Sequence, residues 1–129
     1  MTTPPAPATV LRHRGPALLL GAVEDFAAGT LRCTSRDPGP WTWARMLEGA
    51  AQTAGLLAGT QDDGIRNTAV IAEYRDVRIH ALRHAGPLHF VAHLDRRVLR
   101  FRRCRVEVHA AAGVLLLSAM VTVAPGLRT

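Results

Sequence analysis

Apolar residues recur along the chain with two different periods, and the change between them predicts the order of the elements. Residues 17–23 and 30–35 are short apolar segments separated by Gly29, as expected for two strands. Between residues 41 and 59 the apolar positions follow helical spacing, with Pro40 before the segment and Gly59 at its end. Four further segments are then predicted as strands: 68–79, 87–94, 98–110 and 114–123.

This order predicts an α+β fold, in which an antiparallel sheet packs on a single long helix. The last two strands meet across Gly113 and form a predicted antiparallel hairpin. Small residues fill the middle of the helix, including Gly49 and Gly55, so we expect the sheet to wrap closely around it. Residues 1–9 are rich in Pro, Ala and Thr and predict a disordered leader, and residues 10–129 predict one domain.

Composition narrows the class of protein further. The 129 residues are 48% hydrophobic, and no apolar run is long enough for a membrane span. The leader lacks the basic and apolar regions of a signal peptide, so we expect a cytoplasmic protein. Cys33 and Cys104 lack metal-ligand spacing and are expected to be buried thiols.

No metal or cofactor is expected from the sequence. Four histidines have spacings that would suit metal ligands on a helix, but the segment is interrupted by Gly86 and Pro87 and is predicted as strand. These are His80, His84, His89 and His93.

The charge balance is strongly basic. Sixteen arginines and no lysine oppose ten acidic residues, which gives a net charge of +6. Such a surface favours an acidic partner, and the candidates are a nucleic acid, an anionic membrane surface or an acidic carrier protein. The densest basic run lies at residues 96–105 and contains Phe101. Because no nucleic-acid-binding motif is present, a basic nucleic-acid-binding protein is the least favoured alternative. We expect no membrane partner.

Two motifs give the chain a family resemblance. Residues 13–19, His-Arg-Gly-Pro-Ala-Leu-Leu, resemble the His-Arg-x-Pro-x-Leu-Leu opening of 3-hydroxyacyl-acyl-carrier-protein dehydratases. The helix segment 46–55 is similar to that family's Leu-Glu-Ala-x-Ala-Gln-x-x-Gly pattern. The resemblance spans residues 10–124 and implies the hotdog fold, in which a curved antiparallel sheet wraps one helix. It is closest to the divergent branch found in polyene, aryl-polyene and polyketide pathways.

The resemblance also implies a reaction, the removal of water from a 3-hydroxyacyl thioester. In the family a His takes the α-proton, and a carboxylate on the helix of the other subunit handles the hydroxyl. Glu48 matches that carboxylate by motif and is expected to be partly desolvated. Gln52, one helical turn later, would orient Glu48 or a water. Gly39 and Trp41 would offer N–H groups at the helix start to the thioester carbonyl.

The chain departs from the family at the catalytic His. That His lies in a loop before the helix, where this sequence has Thr34 near the equivalent position, and no His occurs between residues 14 and 79. Three explanations remain open. A partner chain supplies the His in a heterodimer, which we favour; or Asp37 or His13 is the base. In the third, the chain is a non-catalytic partner subunit, or a thioesterase in which Glu48 activates water.

The resemblance implies two kinds of partner. One is an acyl carrier protein with a phosphopantetheine-linked acyl chain, for which Arg100, Arg102 and Arg103 are candidate docking residues. The other is a second hotdog subunit, identical or different. Trp41 and Trp43, on either side of the helix start, would line or block an acyl tunnel, or pack in the core.

Overall fold

The computed structural model of the chain describes residues 4–126, in which one long helix lies against a six-stranded antiparallel sheet. The strand order in the sheet is β1-β2-β6-β7-β8-β4, and β3 and β5 form a separate short ladder. The α+β arrangement predicted from the sequence is therefore confirmed. In chain order the elements are α1 (Pro7–Val10), a 3₁₀ turn (Gly15–Ala17), β1 (Leu20–Ala27), β2 (Thr30–Ser35), β3 (Trp41–Thr42), α2 (Trp43–Gln61), β4 (Ala69–Ile79), β5 (Arg83–His84), β6 (Leu88–Val98), β7 (Phe101–Ala110) and β8 (Leu115–Pro125).

The long helix begins two residues later than predicted. Thr42 is its N-cap, and the Thr42 hydroxyl accepts a hydrogen bond from the Arg45 N–H at 3.3 Å. Trp41 is fully buried, and its backbone is extended because it pairs with His84 in the short ladder. The helix also continues past Gly59 to Gln61.

Small residues on α2 allow its neighbours to approach closely, as expected. A Cβ at Gly49 would lie 2.6 Å from the Phe90 ring of β6, and a Cβ at Gly59 would lie 2.6 Å from Val10. Gly59 is therefore required for packing against α1 and does not end the helix. Nearly all residues of α2 from Met46 to Gly59 are buried, so the sheet wraps the helix.

The start of the chain is more ordered than the predicted leader of residues 1–9. Pro7–Val10 form a turn of helix, and both Pro7 and Val10 are buried. Burial of these two apolar side chains against the core accounts for the difference. The first three residues of the predicted leader lie outside the described residues.

Two hairpins build the middle of the sheet. The predicted turn at Gly113 is confirmed, with φ +95° at Gly113 and a hydrogen bond from the Ala110 N–H to the Val114 carbonyl. The β6–β7 hairpin extends further than predicted, since β6 continues to Val98 and turns at Leu99.

The sheet ends at β4, which pairs only with β8. On β4, Tyr74 lies opposite Val121 and Ile79 lies opposite Leu117, so these pairs share the face that is turned to the helix. Val121 and Leu117 are fully buried, whereas Tyr74 and Ile79 are each 40% exposed. The inner face of the sheet is therefore open at this edge.

Candidate active site

A pocket of about 230 Å³ opens between α2, the segment before the 3₁₀ turn and the start of β4. Its polar side chains are His13, Glu48 and Gln52, together with Arg12. The rest of the lining is apolar: Leu11, Ala51, Gly55, Ala69, Val70 and Ile71. The pocket thus combines the motif carboxylate with a small cavity of mixed polar and apolar lining next to the open edge of the sheet.

Glu48 lies at the mouth of this pocket. Its carboxylate oxygen Oε1 is 3.7 Å from His13 Nε2 and accepts a hydrogen bond from Gln52 Nε2 at 3.4 Å. Four residues separate Glu48 from Gln52, which places both side chains on one face of the helix. The Glu48 side chain is 51% exposed in the single chain, so it is half-buried before any second chain binds.

Gln52 is almost fully buried and connects the helix to the segment that carries His13. Its Nε2 donates to the Ala17 carbonyl at 2.6 Å, and its Oε1 accepts from the Leu19 N–H at 2.8 Å. These two bonds use backbone groups that would otherwise pair in a strand, which explains why β1 begins at Leu20 and not at residue 17. Gln52 therefore fixes the chain that leads back to His13.

His13 is the base candidate that the structure brings beside Glu48. Its side chain is 29% exposed, Nε2 faces Glu48, and Nδ1 is buried with no hydrogen-bond partner among the described residues. Burial, and then the Glu48 charge, raises the pKa of Tyr74 on β4. Sequence reasoning did not single out Tyr74, since its position relative to Glu48 depends on how β4 pairs with β8.

Asp37 and Gly39 occupy a turn away from the pocket. Asp37 Oδ1 accepts from the Gly39 N–H at 2.9 Å, and Asp37 Oδ2 accepts from Arg45 Nη2 at 3.1 Å. The Gly39 N–H is therefore already used, which corrects its predicted role at the thioester carbonyl. Asp37 stabilises its own turn and is not brought to Glu48.

Trp41 packs in the core and is not at the helix start. Its ring meets Phe90 edge-on with centroids 6.2 Å apart, and the Arg45 guanidinium lies 4.3 Å above the Trp41 ring. At the true helix start, the Trp43 N–H donates to the Leu82 carbonyl. The predicted pair of helix-start donors at Gly39 and Trp41 is therefore wrong.

Thr34 and the two cysteines contribute no reactive group to the pocket. The Thr34 hydroxyl bonds to the backbone of Ala22 on β1. Both cysteines are free and buried, as predicted. Burial raises the pKa of Cys33 and of Cys104 to about 12, so both thiols are protonated at neutral pH and are poor nucleophiles.

The predicted docking arginines lie at the other end of α2. Arg102 pairs with Asp62 at 2.8 Å, Arg103 pairs with Asp95 at 2.9 Å, and Arg100 is exposed in the β6–β7 turn. At the helical rise of 1.5 Å per residue, Asp62 is about 20 Å from Glu48 along the axis. Two of the three guanidinium groups are thus already paired, and all three are remote from the pocket.

The remaining histidines do not gather into a metal site. His89 lies 3.0 Å from Glu24, and His93 lies 3.5 Å from the Thr30 hydroxyl. Within residues 4–126, no three His, Cys, Asp or Glu side chains are placed to hold one metal ion. In the same part of the chain, no helix is long and apolar enough to cross a membrane.

Among the comparisons with known proteins, only the comparison of structures identifies the fold. No protein-family model and no curated protein matches the chain. The structure is similar to the dehydratase heterocomplex ApeI:P from Xenorhabdus doucetiae, with TM-score 0.80 and 16% identity over 99% of this chain and 94% of that chain.

Two thioesterases are also similar. One, from Staphylococcus aureus, has TM-score 0.68 and 12% identity over 80% of this chain and 90% of that chain. The other, from Haemophilus influenzae, has TM-score 0.63 and 11% identity over 79% of this chain and 75% of that chain. Likeness at such low identity identifies architecture. The chain therefore has the hotdog fold that its two sequence motifs predict.

Proposed function

We propose that this chain is a subunit of a dehydratase that removes water from 3-hydroxyacyl thioesters carried by an acyl carrier protein. The observation that carries the proposal is the position of Glu48, half-exposed at the mouth of a pocket and held by the buried amide of Gln52. The similarity to a dehydratase heterocomplex over 99% of the chain supports the same reaction class.

The reaction needs one acid and one base on neighbouring carbons of the substrate. A base removes the proton on C2, the C3–O bond breaks, and the electron pair forms the C2=C3 double bond. Glu48 in its acid form donates a proton to the departing hydroxyl, which leaves as water. Gln52 fixes the Glu48 side chain through Oε1, and the other carboxylate oxygen receives no hydrogen bond from the described residues.

The base comes from a second hotdog chain. Asp37 is held in its turn by Gly39 and Arg45, and the buried thiols stay protonated. His13 has one nitrogen buried and the other directed at Glu48, so neither nitrogen is directed at a substrate proton. A residue from another chain would reach the pocket over the open edge formed by β4.

The test is an intact-mass assay on a 3-hydroxyacyl carrier protein. The chain is tested alone and then mixed with a second hotdog protein that keeps the loop His. We expect loss of one water only in the mixture, and Glu48→Gln abolishes it. Glu24→Gln is the matched control, because it makes the same charge change on an exposed carboxylate of β1.

Two results would contradict this proposal. Loss of water by the chain alone would identify an in-chain base, and His13→Asn would then test His13 for that role. Full activity of Glu48→Gln in the mixture would mean that the chain is a non-catalytic partner subunit.

Thioester hydrolysis is a second candidate function. The contact of 3.7 Å between His13 and Glu48 within one chain would let the pair activate a water, and two thioesterases share the fold. The water oxygen would bond to the thioester carbon, and the C–S bond would break to release a thiol. The same mass assay separates the reactions, because hydrolysis removes the whole acyl group from the carrier, whereas dehydration removes only water.

A further inference from the structure

The tip of the β6–β7 hairpin exposes three apolar side chains together. Leu99 is 88% exposed at the turn, and the closing pair of the hairpin, Val98 and Phe101, is 49% and 37% exposed. These three residues are called the apex. Leu99 is too exposed to contribute to the core, so folding does not explain its presence, and the exposed parts of Val98 and Phe101 extend the same apolar surface.

The backbone conformation at the turn is unfavourable for leucine, so the presence of Leu99 needs an explanation. Leu99 has φ +53°, in the left-handed region that Gly and Asn adopt at low cost and that a bulky side chain disfavours. A turn selected only for hairpin stability would place Asn or Gly here. Keeping Leu99 costs stability, and residues strained in this way are typical of functional sites.

Arginines surround the hairpin directly behind the apex. Arg96 lies opposite Arg103, and Arg97 lies opposite Arg102, although like charges directly opposite each other destabilise a sheet. Successive residues of a strand point to opposite faces, so the two pairs place positive charge on both faces of the hairpin.

The nearby acids neutralise only part of this charge. Asp95 pairs with Arg103 and Asp62 pairs with Arg102. Among the described residues, Arg96, Arg97 and Arg100 form no ion pair, although Arg97 donates a hydrogen bond to Gln61. The repulsion that remains would be relieved by a partner that carries negative charge.

We propose that the apex binds the surface of an anionic lipid bilayer. Its apolar side chains enter the boundary between headgroups and acyl chains, and the arginines behind it contact lipid phosphates. This proposal reverses the expectation, based on sequence motifs alone, that no membrane is a partner.

The shape of the apex favours a bilayer over the other acidic partners. The apolar side chains exposed at the apex need an apolar phase to enter, and the surface of a nucleic-acid duplex offers none. Positive charge on both faces suits a planar layer of headgroups, whereas a folded carrier protein would dock against one face. Glu48 lies about 20 Å along α2 from Asp62, which pairs with Arg102 behind the apex, so Glu48 would stay accessible while the apex is bound.

The test is co-sedimentation with vesicles of phosphatidylcholine, with and without phosphatidylglycerol. We expect binding only to vesicles that contain phosphatidylglycerol, and weaker binding at high salt. Leu99→Asn should weaken binding at least tenfold. Since Asn tolerates the left-handed region, that variant keeps or improves the turn, and its loss of binding is not a folding defect.

A triple variant tests the arginines. Changing Arg96, Arg97 and Arg100 to Gln should weaken binding about a hundredfold, because each arginine near an anionic surface contributes about one kcal/mol, which is about fivefold in binding. The matched control makes the same charge change at three exposed arginines elsewhere, and it should retain most of the binding. These are Arg32, Arg78 and Arg83.

Three outcomes would overturn the proposal. If Leu99→Asn binds vesicles as well as the unchanged chain, the apex does not enter the bilayer. If the control triple variant loses as much binding as the test variant, only net charge matters. If vesicles do not bind and Leu99→Asn instead weakens binding to acyl carrier protein or DNA, the apex recognises that partner.

Discussion

Buried thiols make the stability of this chain depend on pH in the alkaline range. Burial raises the pKa of Cys33 and of Cys104 from 9.0 to about 12. In the unfolded chain both thiols ionise near pH 9, whereas in the folded chain they keep their protons. The contribution of the two thiols to the free energy of unfolding is therefore constant below about pH 9, and it falls as the pH rises towards about 12.

We expect the free energy of unfolding to fall by about 1.4 kcal/mol per thiol for each pH unit above about 9. Urea unfolding curves between about pH 8 and pH 11 measure this slope. The variant with both Cys33 and Cys104 changed to Ala is the control, and its slope should be much smaller, leaving the contribution of Tyr74. Equal slopes in the two proteins would refute the assignment.

At the same scale, the sequence predicts part of the site and misses part of it. Glu48 and Gln52 could be placed together because four residues on a helix fix their relative position. His13 could not be placed, because its contact with Glu48 depends on two hydrogen bonds of Gln52, one donated to the Ala17 carbonyl and one accepted from the Leu19 N–H. Contacts set by distant hydrogen bonds leave no periodic signal in the sequence.

The close packing of α2 on the sheet predicts opposite effects for two glycine substitutions. Gly49→Ala would place a Cβ 2.6 Å from the fully buried Phe90 ring, so we expect a loss of about 1–3 kcal/mol in the free energy of unfolding. Gly55→Ala is the matched control on the same helix. Its Cβ would lie 3.3 Å from a Leu11 methyl, and better helix propensity should leave stability unchanged or raise it by up to about 1 kcal/mol.

Chemical denaturation of the two variants checks this prediction. Adding Phe90→Leu to Gly49→Ala should recover part of the lost stability, because the smaller side chain gives the new methyl group room. If Gly49→Ala is as stable as the unchanged chain, the contact between α2 and β6 is looser than the structure indicates.

The long helix and the six strands of the main sheet followed from periodicity, but several of their ends did not, and α1 and the short β3–β5 ladder were not predicted. Pro40 and Gly59 look like the ends of a helix in the sequence. In the structure, Trp41 is drawn into a strand by its burial, and Gly59 is needed for contact with Val10. Pro and Gly usually mark the ends of helices, but here tertiary packing determines where the helix begins and where a glycine is needed. Sequence patterns do not report such packing. The turn at Leu99 was missed for a related reason, since Leu gives no turn signal.

The edge strand β4 and the pocket with Glu48 are open on the same side of the molecule. β4 has a partner on one side only, and it exposes Val77 and Ile79, which are 36% and 40% exposed. An unpaired edge strand with apolar side chains is a template for pairing with another chain. Glu48 is half-exposed beside it, so the same association would both cover the strand and complete the proposed site.

Lysine substitutions on β4 should therefore prevent association with a second chain while leaving the fold intact. Changing Val77 and Ile79 to Lys places charge on the edge of β4, where it opposes pairing with a second chain. We expect the variant to fold and sediment as a monomer, and to lose dehydration in the mixed assay although Glu48 is unchanged. Val98→Lys is the control, because Val98 is 49% exposed on β6, a strand that does not pair with β4.

If association over β4 completes the site, the results of sedimentation velocity and of the mass assay should change together. A double-lysine variant that still associates would place the interface elsewhere on the molecule. A monomeric variant that still removes water would mean that the pocket is complete within one chain, and His13 would then be the residue beside Glu48 best placed to serve as the base. Loss of both properties, with the control unaffected, would tie the open edge of the sheet directly to the chemistry at Glu48.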